Sequence, residues 1–458
     1  MNEITISEIE KATCGTLLCG CREHAVSCVC TDSRKAKKGD LFVPIIGEVH
    51  DAHKFIPQVM ENGCRALLVS ERAASPALDD CDVILVDDTT KAIQALAGYY
   101  LEKLHLKKIA VTGSVGKTST RDMVYSVLSE KYKTGKTQGN FNNDIGVPLT
   151  IFSFDDSMEA AVLEVGMDHA GEIHRLVDII RPEIGIITNV GISHIENLGS
   201  REGILQAKLE IADYFDRGNT LVVNQSNDML GSAVLPDTYD VVRVGLSEMD
   251  QFWVHHIEDH GGAGVSYRLS ACGKDYQIKL GIPGAHNALN SALALAAGVR
   301  AGVAIEEGIS GLSKIQLTDN RLTVTEAGGV KMIDDTYNAA PDSMKSAIDT
   351  LVHTPGNRKI AILGGMNELG PDSPAYHTEV GRYAGDKKVD LLVAVGEKAR
   401  DIAAGGREAL EKDKVMYFDT KEQLYEQLDD LLRAGDVILV KASRSMEMEQ
   451  VVERIMKK

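Results

Sequence analysis

Seven consecutive residues, Thr112-Gly113-Ser114-Val115-Gly116-Lys117-Thr118, form the stretch of this sequence with the plainest chemistry. Glycines let backbone N–H groups close around phosphate oxygens. A helix that starts there adds a favourable field for negative charge. In that setting Lys117 bridges the β- and γ-phosphates of a nucleotide and the Thr118 hydroxyl ligates Mg²⁺. Val111 stands where the longer phosphate-loop pattern has its first glycine, so the motif is G-x-x-G-K-T. Such a loop serves motors, switches, kinases and ligases alike, and the other residues must choose between them.

Further candidates lie downstream. Glu164 sits at the end of the apolar run AAVLEVG (160–166), at the carboxyl edge where α/β folds bind ligands. Beside a phosphate loop it is suited to Mg²⁺ as an oxygen ligand. His194 follows IGIITNV (184–190) at the same edge. Lys208, in QAKLEI, reads by itself as a surface lysine on an amphipathic helix over 200–214. His286, Asn287 and Asn290 open an Ala-rich helix, where asparagine is often only a cap. Arg321 opens the last third of the chain, and Asp335 follows an apolar strand, where a carboxylate can take ribose hydroxyls.

The elements that must position these residues divide the chain in three. Residues 1–87 read as a small α/β unit with strands at 40–45, 66–70 and 83–87 and a helical segment from His53 to Asn62. Over 88–318, strand and helix alternate: strands 107–113, 160–166, 184–190 and 220–224, with helices at the start, over Thr118–Glu130 and over Ala285–Arg300. Runs apolar on both faces fit a parallel sheet covered by helices. Residues 251–281 alternate in the β manner with Gly-rich turns, which predicts an antiparallel subsheet. A second alternating series, with strands at 330–334, 358–363, 390–395, 415–418 and 436–440, makes 319–458 a Rossmann-like domain. The expected fold class is α/β with three domains: 1–87, a central P-loop ATP-binding domain 88–318, and 319–458.

Composition narrows the function classes. The 458 residues carry 67 acidic and 49 basic side chains, a net charge of −18, which argues against a general nucleic-acid or anionic-membrane binder. No apolar run reaches a membrane span and the start MNEITISEIE has no signal-peptide core, so a cytoplasmic enzyme is expected. Five of the eight cysteines crowd positions 14 to 30 in spacings that match no zinc pattern, and they read as reduced, structural thiols.

Longer stretches resemble the Mur ligase family, the ATP-dependent amide-forming enzymes of peptidoglycan precursor synthesis. They include TGSVGKTS (112–119), GNFNNDIGVPLT (139–150), LEVGMDHAGEI (163–173), TNVGISHIENLGSREGILQAKLEI (188–211), PGAHNALNSALA (283–294), DNRL (319–322), DDTYNAAPDSM (334–344), LGGMNELG (363–370) and KASRSMEME (441–449). TDSRKAKKGDLFVPIIG (31–47) resembles the family's uridine-nucleotide-binding N-terminal domain. The Asp-Asn-Pro-Arg and D-Y-A-H-T-P patterns of the diaminopimelate- or lysine-adding branch are missing, and Ala340 and Ala442 depart from the usual N-A-N-P and K-G-S-R.

The resemblance implies a peptide bond made through an acyl phosphate between UDP-N-acetylmuramoyl-tripeptide and D-Ala-D-Ala, with ATP and a pair of Mg²⁺ ions, by a monomer. It assigns Glu164 and His194 to metal, Lys208 to a carbamylated lysine that supports the metal, and Asn287 to the nucleotide base. It implies that Arg321 reaches the γ-phosphate and Asp335 the ribose. It points to Ser33 and Arg34 for the uridine diphosphate, with Asp51 and His53 as weaker candidates. Asn140 and Asn143 are expected near the reacting carboxylate. Tyr337, Asn338 and Ala340 to Ser343 are expected on the acceptor side. The alternatives are another Mur-type or folylpolyglutamate synthase-like ligase, which in the second case would lack the TDSR block, and a P-loop ATPase switch.

Overall fold

The computed structural model describes residues 1–47, 50–70, 78, 80–315, 317–318 and 321–457. Asp319 and Asn320 of the DNRL stretch lie outside the described residues. Three large sheets organise the chain, in agreement with the α/β expectation. Among the described residues no helix is long and apolar enough to cross a membrane.

The first sheet runs Thr16–Cys19, Asp82–Leu85, Ala66–Val69, Asp40–Phe42, Cys28–Cys30, with Thr16–Cys19 antiparallel to its neighbour and the others parallel. All eight cysteines are free thiols. Their strands Thr16–Cys19 and Cys28–Cys30 escaped the sequence reading because they are short and half exposed.

The central sheet has nine strands, in the order Lys274–Leu280, Val265–Ala271, Phe252–Asp259, Asp240–Gly245, Thr220–Asn224, Ile184–Ile187, Lys107–Thr112, Ala160–Glu164, Thr134–Lys136. The antiparallel strands expected over 251–281 are present, and they extend this same sheet at one end. Phe252–Asp259 pairs in parallel with Asp240–Gly245, a strand the sequence reading did not contain. Lys107–Thr112 lies between strands that come later in the chain, and this reversal of order opens the crevice where doubly wound sheets bind ligands.

The third sheet runs Thr323–Ala327, Val330–Asp334, Val437–Lys441, Lys359–Gly364, Leu391–Val395, Val415–Phe418, parallel except for its first strand. That first strand was also unread, since most of its residues face solvent and it carries little apolar signal.

One helix joins the first two units. Thr89–Lys103 is capped by Asp88 and buries Thr89, Ala92, Ile93, Leu96, Ala97, Tyr100 and Leu101, the i, i+3, i+4 stripe of a core-facing helix. It packs on helix Ile6–Thr13 on one side and on helices Gly146–Ile151 and Glu172–Ile180 on the other. A single apolar core therefore runs from Ile4 through Tyr100 to Leu230, whereas the third unit keeps cores of its own on both faces of its sheet. Units one and two form one packed body, and the third is built around cores of its own.

Candidate active site

Three neighbouring parallel strands end side by side. Glu164 pairs in register with Val111, and Ile187 with Thr112, so the phosphate loop, Glu164 and the Thr188–Gly191 turn share one edge. The turn braces the loop: Asn189 O accepts from Ser114 N at 3.1 Å, and Asn189 Oδ1 accepts from Val115 N at 2.9 Å. Gly113 has φ +151°, and a Cβ there would overlap Thr188 Oγ1. Gly116, φ +83°, caps helix Lys117–Leu128 and leaves 3.0 Å to the Asn290 amide. Both glycines are thus demanded by backbone conformation and by space.

Lys117 donates to Gly113 O at 2.8 Å, so the loop itself holds its ammonium. Burial draws its pKa down, against the pull of Glu164. The Thr118 hydroxyl donates to Glu164 Oε2 at 2.9 Å, and Asn142 Nδ2 donates to Glu164 Oε1 at 2.8 Å. Glu164 is 2 % exposed. A buried carboxylate beside a threonine hydroxyl is a hard-oxygen donor set that fits Mg²⁺.

His194 adopts φ +64°, a left-handed conformation uncommon outside glycine that histidine tolerates better than most residues. Its Nδ1 lies 2.6 Å from Glu368 Oε2 and 3.1 Å from Asp168 Oδ1. Hydrogen bonding to His194 holds the Glu368 carboxyl below its usual range. Among the described residues these three form the one cluster of His, Cys, Asp and Glu whose ligand atoms converge, all within 4.8 Å of one another, and no cysteine takes part in it.

Lys208 departs from the surface reading. Helix Arg201–Leu209 turns Ile204, Leu205, Ala207 and Lys208 inward, and Lys208 is 1 % exposed. The lysine sits one turn after Ile204 on the apolar face, a signal present in the sequence. Burial pushes its pKa well down, Lys117 adds to the effect, and no carboxylate among the described residues opposes it. The helix itself is shorter than expected and ends in a 3₁₀ turn over Glu210–Ala212.

A cavity of about 350 Å³ opens between the central and third units. The central side supplies Ser114 to Thr118, Glu164, His194, Asn287 and Asn290, and the third unit supplies Arg321, Asp335, Tyr337, Asn338 and Lys441. The Arg321 guanidinium lies over the Tyr337 ring, 4.0 Å from its centroid, and its Nε has no partner among the described residues. Asp335 accepts from Lys441 Nζ at 2.6 Å, and the same ammonium donates to Asn338 O at 2.7 Å. Lys441 is 2 % exposed and was not singled out in the sequence, although KASR was. Asn287 already donates to Pro283 O at 2.7 Å and accepts from Asn290 Nδ2 at 3.1 Å.

Other candidates stand apart from the cavity. Asn140 and Asn143 are exposed and do not line it, and Asn143 Oδ1 accepts from Gly146 N at the start of a helix. Asn142, between them, is the asparagine that reaches Glu164. Ser33 is buried, with its hydroxyl 3.4 Å from Gln58 Oε1, and Arg34 is exposed in a double hydrogen bond to Asp32. Asp51 accepts from His53 Nδ1 at 2.6 Å and from its N–H, while His53 Nε2 accepts from Ser70 N at 3.1 Å.

The chain is similar to known proteins in sequence and in fold. Residues 111–298 match the Mur ligase middle domain, and residues 320–444 match the Mur ligase, glutamate ligase domain. The UDP-N-acetylmuramoyl-tripeptide–D-alanyl-D-alanine ligase of Bacillus subtilis (strain 168) is 37% identical over 452 residues, 98% of this chain and 97% of its own. A crystal structure of MurF from Acinetobacter baumannii superposes with a TM-score of 0.92 at 30% identity, covering 100% of both chains. The MurF ligase of Thermotoga maritima in complex with ADP gives 0.83 at 28% identity, over 94% of this chain and 97% of that one.

Proposed function

This chain belongs to the Mur ligase family, and from that premise we propose that it joins D-alanyl-D-alanine to UDP-N-acetylmuramoyl-tripeptide at the expense of ATP, a step of peptidoglycan precursor synthesis. It is an ADP-forming amide ligase. The observation that carries the reading is the convergence of Lys117 and Arg321, from two separately packed units, on one cavity. Lys117 and Arg321 line it together, while the Glu164 and Asp335 carboxylates are engaged by Thr118 and Lys441, which makes a site for a polyanion.

The chemistry follows from the reactants. A carboxylate acylates poorly, so the terminal carboxylate of the tripeptide attacks the γ-phosphorus and ADP leaves, giving an acyl phosphate. The dipeptide amine then attacks the acyl carbon, gives up its proton, and inorganic phosphate departs. Lys117 and Arg321 offset the charge on the transferring group, and Asp335, which accepts from Lys441, is the candidate for the ribose hydroxyls. Asn287 is the candidate for the base. Tyr337, Asn338 and Ala340 to Ser343 face the acceptor, while Ser33 and Arg34 take the uridine diphosphate. Thr118, Glu164 and His194 are the groups to hold Mg²⁺, which supplies charge neutralisation at the phosphates. A carbamate on Lys208 would add a further carboxylate there. The support is a buried amine whose depressed pKa favours the neutral form that CO₂ requires. The reading takes the domains as 1–87, 88–318 and 319–458, in a cytoplasmic monomer without nucleic-acid partners.

The test is direct. Purified protein is given ATP, Mg²⁺, UDP-N-acetylmuramoyl-tripeptide and D-Ala-D-Ala, and phosphate release and product mass are followed. Release that needs both acceptor and donor supports a ligase. Equal release with ATP alone makes the chain an ATPase switch.

A further inference from the structure

The helix that carries Lys117 and Thr118 also carries, one turn later, a charged pair that the chemistry above does not use. Arg121 is fully buried, and Asp122 is 1 % exposed. Arg121 Nε and Nη2 donate to Asp122 Oδ1 at 3.1 and 2.7 Å. Burial alone would raise the Asp122 carboxyl, but the Arg121 and Lys136 charges outweigh it and hold it below its ordinary value. A buried pair needs further hydrogen bonds for its remaining donors and lone pairs, and where those bonds go shows what the pair connects.

This pair reaches three separate segments. Arg121 Nη1 donates to Gly139 O at 3.0 Å and lies 3.4 Å from Glu164 Oε2. Arg121 Nη2 donates to Thr318 Oγ1 at 2.7 Å. Asp122 Oδ2 accepts both the N–H and the hydroxyl of Thr318, each at 2.9 Å. Thr318 stands three positions before Arg321, the cation that the third unit brings to the cavity. Residues four apart on a helix share a face. The turn that presents Lys117 and Thr118 to phosphate is therefore continuous with the turn that grips the start of the connection to the third unit.

We propose that Arg121 and Asp122 are positioning residues that anchor the interdomain connection at Thr318 to the phosphate-loop helix and to Glu164, so that Arg321 closes over the cavity at a fixed place. The anchor itself does not need the ligase reading. Its kinetic consequence rests on that reading, and the two are tested apart.

Thr318→Val removes the hydroxyl contacts and keeps the backbone one. Asp122→Asn weakens both. Hydrogen–deuterium exchange is measured on peptides covering 314–322, together with kcat, KM for ATP and Tm. The tether requires about tenfold faster exchange there in Asp122→Asn. In Thr318→Val it requires a kcat about tenfold lower with KM for ATP within about twofold, since nucleotide can dock on the loop before closure. Unchanged kcat in Thr318→Val overturns the proposal, whatever happens to Tm. A fall in kcat with unaltered exchange in Asp122→Asn overturns it too. Should Asp122→Asn fail to fold, exchange in Thr318→Val decides. If the wild-type protein shows no ligase turnover, the function reading has failed, and the exchange contrast still reports on the tether.

Discussion

Glu368 of the third unit reaches to 2.6 Å from Nδ1 of His194 on the central unit. This contact spans the boundary between the central and third units, where it can help to hold them together. Glu368→Ala should open the nucleotide-free protein, measured as a larger radius of gyration by small-angle scattering. An unchanged radius would remove the pair from any part in domain arrangement.

Lys117→Ala should cut turnover by about 10³-fold or more while Tm stays near wild type, because the ammonium is partly buried and its hydrogen bond runs to its own loop, at Gly113 O. Turnover within a few-fold of wild type would rule out the phosphate-loop assignment. Gly113→Ala tests the same loop by sterics. The added methyl meets Thr188, so nucleotide binding, followed by calorimetry, should be lost.

Lys208→Ala should inactivate, and a short carboxylic acid added in trans should restore part of the rate. Intact mass of the wild-type protein prepared with bicarbonate should gain one CO₂. Absence of both rescue and mass shift would remove the carbamate from the site.

Lys441→Met should destabilise the third unit by about 3 kcal/mol, the scale of a buried pair losing one partner. Among the described residues it leaves Asp335 the Leu322 N–H as its hydrogen-bond donor, at 3.3 Å. Adding Asp335→Asn should recover part of the loss in a double-mutant cycle read by denaturant unfolding.

Glu8 accepts from Lys103 Nζ at 2.5 Å and from Tyr99 OH at 3.1 Å, which ties the first helix to the joining helix. The Lys103 hydrogen bond draws its pKa from 4.5 down to about 2. A carboxylate lowered on folding adds stability above its unfolded pKa and loses it as pH falls toward the folded one. The stability gap between wild type and Glu8→Gln should therefore be full at neutral pH and close as pH falls from 4.5 toward 2. A gap constant across that range would refute the pairing.

The sequence was most legible where function is contiguous. The phosphate loop declares itself because seven neighbouring residues do one job, and buried parallel strands do so because they are apolar on both faces. Legibility failed where residues meet only after folding. Nothing near Glu368 in the chain points to His194, and Lys441 is one lysine among many until its strand lies beside Asp335. Among the three asparagines around 140, the one aimed at Glu164 is fixed by the turn of a loop. Lys208 is the intermediate case, since its place on the apolar stripe was readable and its charge argued the other way.

The order of the third sheet bears on synthesis. Val437–Lys441 is made after the other strands of that sheet but lies in its interior, between Val330–Asp334 and Lys359–Gly364. Until it leaves the ribosome those two neighbours have no partner between them, and their open edges can pair with other chains. The first two units, with their shared core, can condense earlier. A nascent chain can thus own a formed phosphate loop before it owns a third unit able to close on it, and Lys441 arrives on the same strand that completes the sheet. Ligase competence therefore waits on the strand of that sheet that is made after all its others.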